Sequence, residues 1–417
     1  MSGASAIHDV AIVGAGSAGI AAAKTARALG LDYVVLEASH RIGGRAYTEE
    51  LAPGIAFDLG CHWMHTASLN PYVAIADQFG FTYRKGTFPR GLWIDGDWAS
   101  EKDFASRDAF WERSHAAVLA AARAGRAVSI AEATEREGRW TPLLDYWSSI
   151  ANAADSDQVS VEDVLNYHDT DENWPIKEGF GALIHRFGVD VPVVLNCAVT
   201  RVGWAGRAIE LETQKGAVKA RRVLITVSTG VLGAGDIRFD PVLPDWKLAA
   251  IAGLPLGTHN RIGLLFDQDP FGPDCPGGAA ILLPGEEPIG FSFRPFGQPV
   301  AVAFTGGRHA LWLERAGQAV AVDLAKEKLV KVFGSRITRH LVRHIVTAWA
   351  GDPWTKGSYS AALPGQGRQR AELARPIDDR LFFAGEATST EFHATAHGAY
   401  LSAVAAMHQV AKSLRPA

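Results

Sequence analysis

The sequence has little of what would mark several other classes of protein. Its three cysteines, Cys61, Cys197 and Cys275, are scattered, which argues against a disulfide framework or a metal cluster and for a reducing, cytoplasmic setting. The 417 residues carry a formal net charge of −4 with both signs mixed, so we expect no nucleic-acid partner. No apolar run approaches about 18 residues, so we expect no membrane span.

What the chain does contain begins with a glycine-rich turn between a predicted strand over 9–13 and a predicted helix over 17–29. The glycines of this turn are Gly14, Gly16 and Gly19. They permit a tight turn and close approach of the backbone to a pyrophosphate, while the helix N-terminus at Ser17 offers free N–H groups. We therefore predict a dinucleotide site rather than a turn without a ligand.

An acidic residue follows at the distance that such a site requires. A second predicted strand over 33–36 ends at Glu37, whose carboxylate can accept hydrogen bonds from an adenosine ribose and disfavours a 2′-phosphate. We assign the adjacent Ala38 to the same site.

A second arginine–glycine motif comes directly after this acid. Gly43 and Gly44 would let the backbone approach a dinucleotide again, and Arg41 and Arg45 would donate to phosphate oxygens. A nicotinamide dinucleotide site does not need a second glycine-rich loop, whereas a dinucleotide that lies extended along the chain does. We call each of these two loops a cradle. The arrangement resembles the FAD-binding start of the flavin amine oxidase family, which includes monoamine and polyamine oxidases. The alternative is a solvated basic loop.

The resemblance implies an α/β fold in which a Rossmann-like FAD-binding domain, a parallel sheet with helices plus a β-meander, is interleaved with an α+β substrate domain. The matching FAD-binding stretches are 1–85, 177–245 and 356–417, and the substrate-binding stretches are 86–176 and 246–355. The local patterns agree with this division. They predict helices across about 102–168 and near 318–333, strands over 193–227, a strand over 381–384 and a helix after His397.

The C-terminal part resembles the second FAD sequence of the family. There, a strand ends at Gly385 and Glu386, and the glutamate lies close to the ribityl or pyrophosphate. The next segment resembles its polyamine-oxidase form, and the N-terminus of its helix would point at the flavin N1–C2=O edge, where negative charge develops on reduction. We assign Thr395, Ala396 and Ala399 to the cofactor. The alternative is an ordinary capped helix.

Residues 57–65 resemble the strand that runs along the isoalloxazine in polyamine oxidases, where a histidine at the position of His62 faces the substrate cavity. A structural role is an equal alternative for a lone histidine. We also assign to the cofactor His62 itself, its neighbours Gly60, Cys61 and Trp63, and two more distant residues, Val199 and Trp349.

Residues 349–360 resemble the segment that leads to the dimethylbenzene edge of the flavin. In monoamine oxidases a cysteine at the position of Ser358 forms a thioether to FAD, a bond that serine cannot make. Tyr359 matches one wall of the aromatic cage of the family and is also assigned to the cofactor, although a packing role is possible. Thr395 stands where the other wall is commonly tyrosine, which favours polyamines or a bulkier substrate.

One residue departs from the family pattern. Arg261 occupies the position of a lysine that binds water near flavin N5, and arginine keeps the charge but cannot easily accept a proton. The consequence would be a sluggish oxidase, a dehydrogenase, or a shifted register that places Arg261 elsewhere.

The sequence thus predicts FAD-dependent oxidation of a small-molecule amine by hydride transfer, giving an imine that hydrolyses to aldehyde and amine, with O₂ reduced to H₂O₂. Arg261, Tyr359, His62 and Thr395 are the predicted catalytic residues, and no metal is required. The alternatives are an L-amino acid oxidase that uses Arg261 to clamp the carboxylate, another FAD-dependent dehydrogenase or desaturase, and a non-catalytic flavin-bound scaffold.

Because Ser358 cannot form the thioether, we expect the FAD to be dissociable. Acid or heat precipitation of the purified protein should leave the yellow colour in the supernatant, measured by its visible absorbance. Colour that stays in the washed precipitate would contradict this prediction.

Overall fold

The computed structural model describes residues 7–86 and 90–415. The ends of the predicted FAD-binding stretches at 1–6 and 416–417 lie outside the described residues. The described strands, in chain order, are β1 (Ile7–Val13), β2 (Tyr33–Leu36), β3 (Thr48–Ala52), β4 (Ile55–Asp58), β5 (Trp63–Met64), β6 (Arg90–Ile94), β7 (Asp97–Trp98), β8 (Trp174–Pro175), β9 (Val193–Val194), β10 (Val199–Gly203), β11 (Ile209–Thr213), β12 (Gly216–Ile225), β13 (Arg238–Asp240), β14 (His259–Phe266), β15 (Gly278–Leu282), β16 (Ile289–Phe293), β17 (Val300–Gly306), β18 (Leu341–Val346) and β19 (Leu381–Phe383).

The helices alternate with these strands along the chain. They are α1 (Ser17–Ala28), α2 (Pro71–Phe79), α3 (Glu101–Arg123), α4 (Ile130–Ala133), α5 (Thr141–Asn152), α6 (Val161–Asn166), α7 (Phe180–Gly188), α8 (Thr229–Ala234), α9 (Asp245–Ala252), α10 (Gly307–Ala316), α11 (Gln318–Phe333), α12 (Gln369–Ala374) and α13 (Ala396–Leu414), with short 3₁₀ helices at Ala67–Leu69, Pro295–Gly297, Ser335–His340 and Glu386–Thr388.

An eight-stranded sheet carries the N-terminal motif. Strands β19, β12, β1, β2 and β9 run parallel, while β10, β11 and the first half of β12 form an antiparallel meander. The length of β12 makes this possible, because its first half pairs with β11 and its second half with β19, while β1 pairs with it from Lys219 to Ile225. The predicted α/β fold, a Rossmann-like sheet with a β-meander, is confirmed.

Small side chains bring two helices close together on one face of this sheet. Helix α1 packs on α13, and the buried residues of α1 are mostly alanine and glycine, which allow close approach of the two helices. Helices α9 and α12 cover the opposite face. The sheet is therefore buried on both sides, as a parallel sheet requires, and its carboxyl edge is left to bind a ligand.

A seven-stranded sheet forms a second layer, with the order β18-β14-β17-β16-β15-β6-β7. Strand β14 lies between β18 and β17, second from one edge of the sheet, and every residue from Asn260 to Phe266 in it is buried. All strands of this sheet fall within the predicted substrate-binding stretches, and all strands of the eight-stranded sheet within the FAD-binding stretches. The domain boundaries themselves stay a prediction.

A buried ion pair joins α6 to α12. Arg370 donates from Nε to Asp163 Oδ1 at 2.8 Å and from Nη2 to Oδ2 at 2.7 Å, and both side chains are 1% exposed. Burial alone would raise the pKa of Asp163, but the bonds and charge of Arg370 outweigh it and lower that pKa. This pair therefore links α6, in the predicted substrate-binding stretch, to α12, in the C-terminal FAD-binding stretch.

Replacing Arg370 by leucine should therefore destabilise the protein strongly, because Asp163 would be left charged, buried and without its main partner. We expect a loss of about 3–5 kcal/mol in the free energy of unfolding, measured by urea denaturation. Lys326→Ala, which removes an exposed pair with Asp323, should change it by less than about 0.5 kcal/mol. A loss below about 1 kcal/mol for Arg370→Leu would contradict this view of the pair.

Candidate active site

The two predicted glycine motifs meet at the carboxyl edge of the eight-stranded sheet. Gly16 and Gly43 form a parallel bridge, and the N–H of Gly43 donates to the carbonyl of Ala15 at 2.8 Å. A Cβ at Gly19 would lie 1.9 Å from the Gly14 carbonyl oxygen, so only glycine lets α1 start this close to β1. The structure thus brings into one cradle the segments that the sequence assigned to a single dinucleotide.

Glu37 lies at the same edge and is fixed by the backbone. Its Oε2 accepts from the Ala15 N–H at 2.6 Å and its Oε1 from the Ser39 N–H at 2.8 Å. Burial raises the pKa of this carboxyl. Each oxygen retains a lone pair for a ribose hydroxyl, as predicted for Glu37, and Ala38 lies half-buried beside it.

The two arginines of the second motif differ in their contacts. Arg41 donates to the Gly44 carbonyl at 2.8 Å and lies over the ring of Tyr47 at 3.9 Å. Arg45 donates to Glu386 Oε1 at 3.0 Å and also to the Ser358 carbonyl. Arg45 therefore links the N-terminal cradle to the C-terminal motif, while part of its charge is balanced by Glu386.

Glu386 is a buried carboxylate with four hydrogen-bond donors. In addition to Arg45, it accepts from the Ser360 N–H at 3.1 Å, the Ser360 hydroxyl at 2.7 Å and the Ala394 N–H at 3.0 Å. Burial would raise its pKa, but the charges of Arg45 and Arg370 outweigh burial and lower it. The carboxylate stays ionised and holds the loop that leads into α13.

A cavity at the ends of β12 and β19 contains residues that the sequence analysis missed. Thr226, Ser228 and Thr229 line it together with Arg45, Gly385 and Glu386. The Thr229 hydroxyl is buried and has no hydrogen-bond partner among the described residues. The sequence could have indicated these residues, because 226–229 follow a buried strand and lie at the same sheet edge as Gly14 and Gly385.

The start of α13 is capped by Thr395, and the predicted contact of this helix end with the flavin stays a prediction. The Thr395 hydroxyl accepts from the Gly398 N–H at 2.9 Å and donates to the Phe392 carbonyl at 2.7 Å. The Ala396 carbonyl accepts from Ser17 Oγ at 2.6 Å, which ties this helix N-terminus to that of α1. Thr395 is therefore occupied as a cap, while Ala399 is buried behind it.

Arg261 and His62 line one cavity, next to Phe57 and Lys177. Arg261 is 3% exposed, donates from Nη1 to the Asp58 carbonyl at 2.6 Å, and its buried Nε has no partner among the described residues. Burial lowers its pKa to about 10, so it stays charged at neutral pH. This placement beside His62 disfavours a shifted register for Arg261.

His62 is held by a carboxylate. Its Nδ1 lies 2.8 Å from Asp58 Oδ2, and the edge of the Trp63 ring packs on it with centroids 5.1 Å apart. Burial and the charge of Arg261 lower the pKa of His62, although Asp58 opposes them. The imidazole is therefore neutral at neutral pH.

Tyr359 packs its ring against His259, a residue that the sequence analysis did not assign. Its ring lies 5.8 Å from that of His259, which shares a face of β14 with Arg261, and its hydroxyl donates to the Ile150 carbonyl. Burial lowers the pKa of His259 to about 3, so this ring is neutral. His259 and Phe304, 6.2 Å apart, extend the aromatic surface beside Arg261.

The remaining predicted cofactor residues differ in their surroundings. A Cβ on Gly60 would fall 1.6 Å from the Arg45 carbonyl oxygen, and the Cys61 N–H donates to that same oxygen at 3.3 Å. Trp349 donates from its indole to the Leu59 carbonyl at 2.8 Å. Val199 is buried in the core beneath the sheet, and its cofactor role stays a prediction.

Comparison with known proteins agrees with this geometry. Residues 17–411 match the family described as flavin containing amine oxidoreductase. The chain belongs to this family. It is thus a flavin-dependent amine oxidoreductase that acts on a small-molecule amine.

Three relatives in this family illustrate the range of similarity. Polyamine oxidase 4 of Oryza sativa subsp. japonica is 26% identical over 97% of this chain and 89% of its own length. Lysine-specific histone demethylase 1 homolog 2 of the same organism is 31% identical over 94% of this chain but only 56% of its own length. A solved putrescine oxidase bound to putrescine has a TM-score of 0.79 at 19% identity, covering 97% of this chain and 98% of that one.

The residues present fit a flavin dinucleotide. The bridged glycine loops leave backbone exposed to a ligand, and Thr229 Oγ1 and Arg261 Nε are buried polar atoms that still need partners. Buried polar groups are rarely left unpaired, so a bound group is the natural source of these partners. None of the helices in the described ranges is long and apolar enough to cross a membrane.

Gly43→Ala should weaken flavin binding. Gly43 has a φ of +101°, and a Cβ there would lie 2.4 Å from the Ala46 carbonyl oxygen, so the second cradle must distort. We expect FAD affinity to fall about 10-fold or more, measured by titration of the apoprotein. Gly54→Ala is the matched control, since it has a φ of +76° but no neighbour within 4 Å. Equal FAD affinity in both variants would refute the assignment.

Proposed function

We propose that the chain binds FAD without a covalent bond and oxidises a primary or secondary amine, polyamine-like in its chemistry, to an imine that hydrolyses to aldehyde and amine. The observation that carries this proposal is the cavity lined by a neutral His62 and by the buried, partly unpaired Arg261, whose guanidinium lies 5.4 Å from the Phe304 ring. The Phe304 ring contacts that of His259, which in turn contacts that of Tyr359. We also propose O₂ as the electron acceptor, reduced to H₂O₂, and the cytoplasm as the setting, in which the free cysteines would stay reduced.

FAD, rather than a shorter flavin, is supported by the dinucleotide cradle and by Glu37 at the position for an adenosine ribose. A non-covalent complex is supported by Ser358, whose hydroxyl is used within the protein. It accepts from the His259 N–H at 2.8 Å and donates to the His259 carbonyl at 2.9 Å. When bound, the flavin supplies the two-electron acceptor for the hydride.

The residues of the chain would bind and orient the amine and remove water from it. A neutral His62 can accept a hydrogen bond from the substrate nitrogen, which must be unprotonated for its α C–H to be lost as hydride. The rings of Tyr359, His259 and Phe304 offer an apolar wall that desolvates the reacting carbon. Arg261 supplies a fixed positive charge and a free Nε–H donor.

The N-terminus of α13 would contribute electrostatically. This helix has 19 residues, and its first turn is held by the Thr395 cap and by Ser17. An ordered helix N-terminus stabilises nearby negative charge by up to about 1–2 kcal/mol. The proposed role of Thr395 is therefore to position this helix end rather than to form an aromatic wall.

An L-amino acid is the second candidate substrate, and one observation favours it. The cavity that contains His62 is lined by the cations Arg261 and Lys177, while the one carboxylate among its described lining residues, Asp58, is already fully hydrogen-bonded. Two cations would suit a substrate carboxylate better than a second ammonium group. A substrate panel separates the two candidates.

The test is a peroxidase-coupled assay with detection of aldehyde, on diamines, polyamines, monoamines and L-amino acids. The proposal predicts H₂O₂ and aldehyde in equal amounts from an amine without a carboxylate. Turnover of L-amino acids alone would establish the second candidate. No turnover of any compound, with O₂ or with an artificial electron acceptor, would refute both.

The ring of Tyr359, rather than its hydroxyl, should contribute to turnover. Tyr359→Ala removes the aromatic wall and should lower kcat/KM at least about 10-fold, whereas Tyr359→Phe keeps the wall, loses only the bond to Ile150, and should stay within a few-fold of the wild type. Unchanged kinetics in Tyr359→Ala would limit Tyr359 to packing.

A further inference from the structure

Asp58 is a buried carboxylate that the sequence analysis did not assign to the site. It is the last residue of β4 and is 2% exposed. Four donors surround its two oxygens. Oδ1 accepts from the Thr48 hydroxyl at 2.5 Å and the Gly181 N–H at 3.1 Å, and Oδ2 accepts from His62 at 2.8 Å and the Phe180 N–H at 3.0 Å.

This set of donors determines the state of both partners. Phe180 and Gly181 open α7, so Asp58 lies at a helix N-terminus, where a negative charge is favoured. An ionised carboxylate can only accept hydrogen bonds, so the hydrogen between Asp58 and His62 must be on Nδ1. Because the neutral imidazole carries one N–H, His62 Nε2 is left with a free lone pair.

The backbone of Asp58 contacts the second predicted catalytic residue. Its carbonyl accepts from Arg261 Nη1 at 2.6 Å, and the guanidinium is further enclosed by the rings of Phe57 and Phe304 at 5.2 and 5.4 Å. One residue therefore contacts His62 through its side chain and Arg261 through its main chain. A shift of Asp58 would move both groups that line the cavity.

We propose that Asp58 is a positioning residue of this active site, which fixes His62 with Nε2 as an acceptor toward the substrate nitrogen and anchors Arg261 beside it. The role of Asp58 in turnover rests on the proposed function. The other part of the proposal, that His62 adopts a single tautomer, does not depend on which substrate is oxidised.

The charged and titratable groups that face His62 come from several elements. Asp58 on β4 favours the imidazolium, while Arg261 on β14 and His65 after β5 oppose it. Lys177, which precedes α7, lines the same cavity and adds positive charge. Removing the Asp58 charge leaves only opposing groups, so His62 should then protonate at a lower pH than in the wild type.

The tautomer can be observed directly by NMR of the FAD-loaded protein labelled with ¹⁵N-histidine, with the His62 signals assigned from their loss in His62→Gln. We expect the wild type to show a protonated Nδ1 and a bare Nε2. In Asp58→Asn the amide can offer His62 either an acceptor or a donor, so this single tautomer should be lost.

Kinetics give the functional readout. In Asp58→Asn we expect the limiting rate of anaerobic flavin reduction to fall at least about 10-fold, and its acid limb to move about 1 unit lower in pH. Thr48→Val is the matched control, because it removes a donor from the other carboxylate oxygen. It should lower stability but leave the tautomer and the acid limb unchanged.

Two outcomes would overturn the proposal. One is a wild-type His62 that carries its hydrogen on Nε2. This outcome can be observed even if Asp58→Asn fails to fold, because it needs only the wild-type protein. The other is a folded Asp58→Asn with the wild-type tautomer and pH profile. If no amine or amino acid reduces the wild-type flavin, the proposed function fails, while the NMR result on Asp58 still stands.

Discussion

The carboxylate of Glu386, buried between two arginines, is the interaction on which the rest of the site depends. It accepts from Arg45 of the N-terminal cradle, from Ser360 and from the Ala394 N–H before α13. A buried charge without partners would cost several kcal/mol, so these segments must arrive together for the carboxylate to be accommodated. Arg370, bonded to the Ser360 hydroxyl, extends the network to Asp163.

This network also positions the reacting face. Tyr359 lies between Ser358, which is bonded to His259 and to Arg45, and Ser360, which is bonded to Glu386 and Arg370. Its backbone is therefore held from both sides, and its ring is directed against His259 on β14. The dinucleotide edge of one sheet and strand β14 of the other are thus joined through a three-residue segment.

The sequence predicted the elements that have local signals. Strand β1, helix α1, strand β2 and the two glycine loops were recognised because short apolar runs next to glycine-rich turns, helix end signals and glycine spacing are properties of short segments. Strands β14 to β17 were left unassigned, since they lie in a glycine- and proline-rich stretch and β14 is buried on both faces, without polar alternation.

Only part of the candidate site could be predicted, because local sequence patterns do not reveal residues that matter through distant neighbours. His62, Arg261 and Tyr359 were found through family resemblance. The structure brings His62 and Arg261 to one cavity, and Tyr359 is linked to Arg261 through the rings of His259 and Phe304. Asp58, His259 and Thr226 were missed, because their importance comes from neighbours that are distant in sequence. Thr395 was assigned to the reacting face, with a capped helix as the alternative. Its hydroxyl does cap α13, and its place beside the flavin stays a prediction.

If a flavin and an amine meet in the cavity of His62 and Arg261, as we propose, the amine should reduce the flavin without any external electron acceptor. The decisive measurement is therefore the visible spectrum of the purified protein, recorded anaerobically before and after addition of an amine. We expect flavin bands that bleach with at least one amine or amino acid. Bands that none of these compounds alters, or a protein that takes up no FAD when it is supplied, would contradict it.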